Sequence, residues 1–473
     1  MRISVIGLFG LFIIAACSSS PSSHSSGTDG GGNGRQADTG PSQTTHHDAA
    51  ASGGHDGGVT QGGSDASSTG EKNDASRTGS KDVAAPTAPD AATTVSDSGA
   101  FPPAGNQNGS CSSITPPTET KLVDTSSPTT VVGTGAPASC DFASLDAAVT
   151  KGGIITFNCG PDSVTIPLTT TLTPPTSNAY ANQPSLKIVI DGGNKVTLDG
   201  QGAVRLIEWV HTGSWQKNQD TLTLQRIRLI NGKTTPTEAI PSCPPASGIS
   251  NAACSTGYDD GQGGALFMQD GNLRVIDCIF ENNTAALLGP DTGGGAIYMY
   301  GTGSPSFIMQ SSFLNNKASN AGAVGMLWAG AYIINSLFEG NSAVGMGAND
   351  NDATMCTCSN MGNNNQTGSG GNGGAIYKDG GDGMSLTICG DEITGNSSNE
   401  FGAAIFLTAD GSGATLIIAD SDMTGNNQEN AVWQWCTGVS TDNPHSSSGG
   451  SPSPINTTFC DENGANCKMT CSS

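Results

Sequence analysis

The sequence predicts an all-β solenoid, a single-stranded parallel β-helix with a short N-terminal helical cap, preceded by a disordered linker. Three observations carry that prediction. The first is a unit that opens on Gly-Gly-Ala and closes on Phe-x-x-Asn. It runs from Gly263-Gly264-Ala265 to Phe280-Glu281-Asn282-Asn283, then from Gly294-Gly295-Ala296 to Phe313-Leu314-Asn315-Asn316. Looser copies run from Ala321-Gly322-Ala323 to Asn341, from Gly373-Gly374-Ala375 to Asn396, and from Gly402-Ala403-Ala404 to Asn426. The closing asparagines are 25 to 33 residues apart, with one interval of 55. A unit this short cannot bury its apolar face alone and must stack on its neighbours. The second observation is a series of short runs in which Ile, Leu or Val alternates with other residues, each ended by Gly, Asp or Asn. The third is the lack of long helical periodicity, with aromatic residues at only 5%.

The chain opens on an export signal. Arg2 supplies the positive charge, and Ile3 to Ile14 is an apolar stretch too short to span a bilayer as a stable helix. Its end, Ile14-Ala15-Ala16-Cys17, resembles the lipobox of bacterial lipoproteins. The resemblance implies cleavage after residue 16, lipidation of Cys17, and an anchor in a Gram-negative outer membrane, with Ser18 as the sorting residue. An ordinary signal peptide cut near the same alanines is the alternative. Residues 17–108 are Ser, Gly, Asp, Thr, Ala and Pro with almost no Leu, Ile or aromatic residue. Such a stretch buries too little apolar area to offset chain entropy, so a disordered linker is expected.

The cap and first strand fall in residues 109–160. Asp141 to Val149 has helical spacing with an acid at its start and Gly152-Gly153 as a stop. Ile154 to Cys159 follows as an alternating strand, so pairing of Cys140 with Cys159 would staple cap to strand. The β-helix is expected over 161–435, with strands at Leu186–Ile190, Val196–Asp199 and Leu222–Ile230. The last of these would place Arg226 and Arg228 outward on one solvated face. Within a unit the glycines serve turns and close approach of coils. The aliphatic residues and Phe280, Phe313 and Phe338 form the inner stack. Asn283, Asn316, Asn341, Asn396 and Asn426 form a ladder of side-chain amides. The polar insertion from about 344 to 372 reads as a loop leaving one coil, and 436–473 as a Cys-rich C-terminal cap or tail.

This unit resembles the Gly-Gly-Ala-Ile plus Phe-x-x-Asn repeat of the polymorphic outer membrane proteins and of right-handed parallel β-helix domains of the pectate-lyase-like superfamily. The resemblance spans about residues 140–435 and implies a right-handed coil. Those outer membrane proteins end in a β-barrel translocator, whereas this chain ends in Cys-rich sequence, so a lipid at Cys17 would have to serve as the membrane attachment.

Setting Cys17 aside leaves thirteen of the fourteen cysteines, all from Cys111 onward. In an exported domain these read as disulfides. Cys140 with Cys159, Cys243 with Cys254, and the group Cys436, Cys460, Cys467 and Cys471 are close enough in sequence to pair. The net charge is −23, and after residue 108 there are 31 acids against 13 bases, a balance of −18. An acidic surface disfavours nucleic acid and anionic lipid headgroups. A polyanionic glycan would need a calcium bridge.

Glycan-cleaving β-helices gather carboxylates, and often calcium or an arginine, in one lateral groove. The candidate carboxylates are Asp259 and Asp260, the candidate cations Arg226 and Arg228, with His211 as one of two histidines in the domain. Polygalacturonases order Asn-x-Asp, Asp-Asp, Gly-His-Gly and Arg-Ile-Lys; this chain has only the Asp-Asp, with Arg-Ile-Arg before it. Asp259 and Asp260 therefore read first as turn acids. Calcium candidates are Asp350 and Asp352 in one loop and Asp379 and Asp382 in another, although Asp and Gly also serve ordinary turns. The sequence thus points to a surface lipoprotein that presents a rigid rod for adhesion, binding or structure, its partner an extracellular glycan or surface protein. A divergent polysaccharide lyase or glycoside hydrolase is the alternative.

Overall fold

A computed structural model describes residues 101–177, 184–212, 215–236, 261–287, 292–345, 370–380, 384–410, 415–427, 432–437, 453–454 and 467–470. The chain winds as a parallel β-helix. One wall stacks Ile207–Val210, Leu266–Gln269, Ile297–Tyr300, Val324–Leu327, Ile376–Asp379, Ile405–Asp410 and Val432–Thr437, each parallel to the next. A second wall stacks Asn272–Ile276, Ser306–Met309, Ala331–Ile334, Leu386–Cys389 and Thr415–Ala419. A third stacks Ile279–Glu281, Ser312–Leu314, Leu337–Glu339 and Glu392–Thr394. The strand Thr221–Ile230 pairs with both Asn272–Ile276 and Ile279–Glu281, so it joins the second and third walls at their N-terminal end.

It can do so because it bends at Arg226, which has φ 52°. This corrects the straight strand expected from its alternation. The same corner recurs in later coils at Asp277, Gln310, Asn335, Gly390 and Asp420, all with positive φ. That conformation is unfavourable for most non-glycine residues, and least so for short polar side chains. Arginine is the unusual occupant.

The interior is built in columns. Phe280, Phe313 and Phe338 are fully buried and stack with ring centroids 5.0 and 4.6 Å apart. Three residues on, the asparagine ladder forms as expected. Each Oδ1 accepts from the backbone N–H and the Nδ2 of the asparagine one coil back, from Asn283 through Asn316, Asn341 and Asn396 to Asn426. A second polar column lies two residues before each aromatic position: Cys278, Ser311, Ser336, Asp391 and Ser421. There the backbone N–H of one member donates to the side chain of the next. Polar groups in a core this narrow are tolerated because each finds a partner one coil away. The second glycine of a unit is fixed by space: a Cβ on Gly295 would overlap the Gly322 carbonyl and the Lys317 amide of the next coil.

Both ends of the rod are covered. The helix Phe142–Lys151 is N-capped by Asp141, whose side chain accepts from the Ser144 N–H at 2.8 Å. It buries Leu145, Ala148 and Val149 over the first coil, and Cys140 is disulfide-bonded to Cys159. A strand that sequence alone did not suggest, Thr130–Val132, pairs with Ile154–Phe157. At the far end the tail contributes the antiparallel strands Ser453–Pro454 and Cys467–Thr470, laid on the last strands of the first and second walls. Sheet edges left open invite pairing with other chains, and these strands cover two of them.

The least expected element is a strap. Residues 101–113 climb the rod along the corner between the second and third walls, and residues 114–129 descend beside them. The ascent starts where the Phe101 N–H meets the Asn194 carbonyl at 2.9 Å, and Asn106 reaches Asn335 and Gly390 higher up. At the top Cys111 is disulfide-bonded to Cys389, and the Ser112 and Ser113 N–H groups both donate to Asp420 at 2.8 Å. On the way down Arg274 Nε donates to the Glu119 carbonyl at 2.7 Å, and the Thr129 N–H donates to Ile154 at 2.7 Å. Composition places residues 101–108 in the linker, yet Ala104 is buried at 3% exposure against the coil.

Candidate functional site

The arginines singled out from sequence sit on the corner beneath the strap. Arg226 Nε donates to Asp191 Oδ1 at 2.9 Å and its Nη2 bonds Oδ2. Asp191 is 3% exposed. It also accepts from Gln225 Nε2 at 2.9 Å, the Gly193 N–H at 3.0 Å and Thr125 Oγ1 of the strap at 2.7 Å. Burial pushes the Asp191 carboxyl up, but the bonds from Arg226, Thr125, Gln225 and Gly193 together hold it below the usual range. The bond to Asp191 in turn raises the Arg226 guanidinium. Gln225 grips the strap by its main chain, accepting from the Val123 N–H at 2.9 Å and donating to the Val123 carbonyl at 3.0 Å.

Arg228 pairs with Glu281 one coil up and lies over the Phe101 ring at 6.0 Å. The two arginines therefore do not form a free solvated face. The bend at Arg226 separates them, and each is engaged by a carboxylate. An acid or cation that must act on a substrate needs an unsatisfied reactive atom facing it. Both Asp191 oxygens are already engaged within the fold, and Arg226 spends its Nε and Nη2 on them.

His211 is buried rather than groove-lining. Its Nε2 is 3.1 Å from Asp220 Oδ2, its Nδ1 is 3.1 Å from the Gln269 carbonyl, and Trp209 packs on it edge-on at 4.5 Å. Asp220 also accepts from the N–H groups of Ser177 and Leu186 at 2.6 and 2.7 Å. Burial raises this carboxyl, and its donors outweigh burial to leave it lowered.

Asp379 is 5% exposed, and its Oδ2 accepts from the Tyr377 hydroxyl at 2.9 Å. Burial raises its carboxyl, against the Tyr377 bond and the neighbouring Lys378. Beside it the buried Lys378 Nζ donates to the Gly380 carbonyl at 2.8 Å, so that oxygen is already engaged. Among the described residues no group of three or more His, Cys, Asp and Glu side chains could hold a metal ion. Cys17, Cys243, Cys254, Asp259, Asp260, Asp350, Asp352 and Asp382 lie outside the described residues.

Sequence reasoning missed the residues that hold the strap: Gln225, Asp420, and the Cys111–Cys389 bridge across 278 residues. No local spacing signals them, because each partner lies in another part of the chain. It also missed Asp391, whose signal was present as a small polar residue two places before Phe280, Phe313, Phe338, Ile393 and Met423. Burial pushes the Asp391 carboxyl up to about 8, against accepting bonds from the Ser336 and Cys389 N–H groups.

A family model, the repeat of the Chlamydia polymorphic membrane proteins, matches residues 277–299. That stretch includes the corner at Asp277, the stacked Phe280, the ladder residue Asn283 and the closely packed Gly295. No curated protein and no solved structure matches the chain.

Proposed function

We propose that this protein is an exported, surface-displayed rod that acts by binding, adhesion or spacing rather than by catalysis. The observation that carries the proposal is the state of the lateral corner. Its buried carboxylate, Asp191, is paired with Arg226, Arg228 is paired with Glu281, and the strap lies across them. A groove that cleaved glycans would need a carboxylate facing solvent, and Asp191 is 3% exposed. The short match to a repeat of membrane proteins supports a place at the cell envelope. The lipobox-like Cys17 would supply the anchor and residues 17–100 the tether.

Protease treatment of intact cells tests the display. It should release the rod, whereas a rod that survives until lysis sinks the surface reading. Cys17→Ser should move the protein from the membrane to the soluble fraction. Incubation of residues 101–473 with plant and bacterial glycans, with and without calcium, tests the enzyme alternative. Turnover abolished by Asp259→Ala or Asp260→Ala would replace a binding rod with an enzyme.

A further inference from the structure

We propose that the strap is a thiol-controlled cover: the Cys111–Cys389 disulfide latches it shut, and reduction lifts it from an apolar row on a rod that stays coiled. The proposal concerns the rod alone and holds wherever the rod is displayed.

The strap owes its order to the rod. Between residues 101 and 129 its only regular element is the short turn Thr118–Thr120. Its contacts are single polar bonds spread along the rod, such as Gly105 N–H to Ser312 Oγ at 2.8 Å, Asn106 N–H to Asn335 at 2.9 Å and Thr125 Oγ1 to Asp191 at 2.7 Å. The tip is held by Asp420, a half-buried carboxylate that its bonds from Ser113 and Ser112 lower below the usual range. The tip bonds to Asp420 are exposed and exchange readily with water, so each contributes little net stability, whereas those of Gly105 and Thr125 lower down are buried or half-buried. Among the described residues the disulfide is the one covalent cross-link between strap and rod, and it sits at the exposed tip where the polar bonds are weakest.

What the strap covers differs from what it bonds. Ile276, Ile334, Cys389 and Ala419, at the outer ends of the second-wall strands, are all 2% exposed or less. Ile114 of the strap packs on this row at its upper end. Lower down, a cavity of 440 Å³ separates Pro116, Pro117 and Leu122 of the strap from Ile276 and Met309 of the rod. The second-wall strands beneath pair with one another and not with the strap, so their ladder does not depend on it.

The chemistry is ordinary thiol exchange with a dithiol reductant. Cys111 is partly exposed and Cys389 is fully buried, so the incoming thiolate attacks Cys111 Sγ and Cys389 leaves as thiolate and takes a proton. The second thiol of the reductant then resolves the mixed disulfide. Two electrons and two protons end on Cys111 and Cys389, and the reductant leaves as its own disulfide.

Full-length protein is digested with trypsin, with and without dithiothreitol, and the rate of cleavage after the exposed Lys121 is followed by mass spectrometry. Reduction should raise that rate at least tenfold while the far-ultraviolet strand signal is kept. Binding of an apolar fluorescent dye should rise in parallel. Cys111→Ser should reproduce the effect without reductant, which separates this bridge from Cys140–Cys159. An unchanged rate in both reduced protein and Cys111→Ser would show that the polar bonds hold the strap unaided. Loss of the strand signal would show a staple of the whole fold. Either result overturns the proposal.

Discussion

The side-chain oxygen of Asn316 accepts both the backbone N–H and the Nδ2 of Asn283, at 3.0 and 2.9 Å. Its own Nδ2 donates to the Phe280 carbonyl and to Asn341 Oδ1, both at 3.0 Å. No other side chain could match that set, because only a carboxamide offers two donors beside an acceptor of this size. Asn316→Asp turns two donors into an acceptor that faces two oxygens. It should lower stability by about 3–5 kcal/mol, as breaking a buried polar network does. The same change at Asn426, half-buried at the rod end, should cost about 1 kcal/mol. Equal losses in thermal unfolding would mean the ladder is not what the change disrupts.

Gly295 answers a different demand. It lacks positive φ, so its need for glycine comes from the close approach of the Gly322 carbonyl. Gly295→Ala must push two coils apart and should destabilise by about 3 kcal/mol or more, as overpacking does in its severe cases. Gly193 has φ 59°, and a methyl group placed on it would meet nothing within 4 Å. Gly193→Ala should cost only the backbone term of about 1 kcal/mol. Comparing the two by denaturant unfolding separates lack of space from backbone strain.

Asp391 makes stability depend on pH in an unusual direction. Its folded value of about 8 lies above the ordinary 3.8, so across that window the folded state keeps a proton that the unfolded chain has released. Stability from this group is therefore full below about pH 4 and is lost as pH rises through 8, by up to about 1.4 kcal/mol per pH unit. Asp391→Ser, which copies Ser311, Ser336 and Ser421, should remove that slope and raise stability at pH 8.5 more than at pH 5. Denaturant curves at the two pH values check it; equal gains would exclude the titration of Asp391 as the cause.

The Asp191–Arg226 pair predicts the opposite slope. Its carboxyl is lowered in the fold, so its contribution is present above the unfolded value and is lost as pH falls through the folded one. Arg226→Met should cost about 1–3 kcal/mol near neutrality, less than a fully buried pair because Arg226 is 33% exposed. It should also move acid unfolding to higher pH. Asp191→Asn combined with Arg226→Met should recover part of the loss, and strict additivity would show that the two do not interact.

What was legible in the sequence was whatever repeats. Asn283 and its four successors, the stacked phenylalanines and the glycine pairs all recur because one coil poses the same packing problem as the next. The cap helix was legible for a local reason: Asp141 lies three residues before the N–H it caps. The strap was not, because residues 101–129 have no periodicity of their own and take their shape from partners up to 308 residues away. Arg226 and Arg228 misled for a related reason. Alternation along a strand gives the side each residue faces only while the strand stays straight, and the positive φ at Arg226 ends that condition.

The strap also sets a timetable. Cys111 precedes its partner by 278 residues, and in between come Cys140, Cys159, Cys243, Cys254, Cys278, Cys356 and Cys358. Asp420, which holds the tip, comes later still. A chain that emerges N-terminus first must therefore carry Cys111 unpaired past seven other thiols until the coil has nearly reached its end. Cys278 is put out of reach as its coil closes, since burial pushes its thiol up to about 12. The bridge to Cys389 is then a mark of completion: it closes only on a rod whose coils have been wound that far and in register.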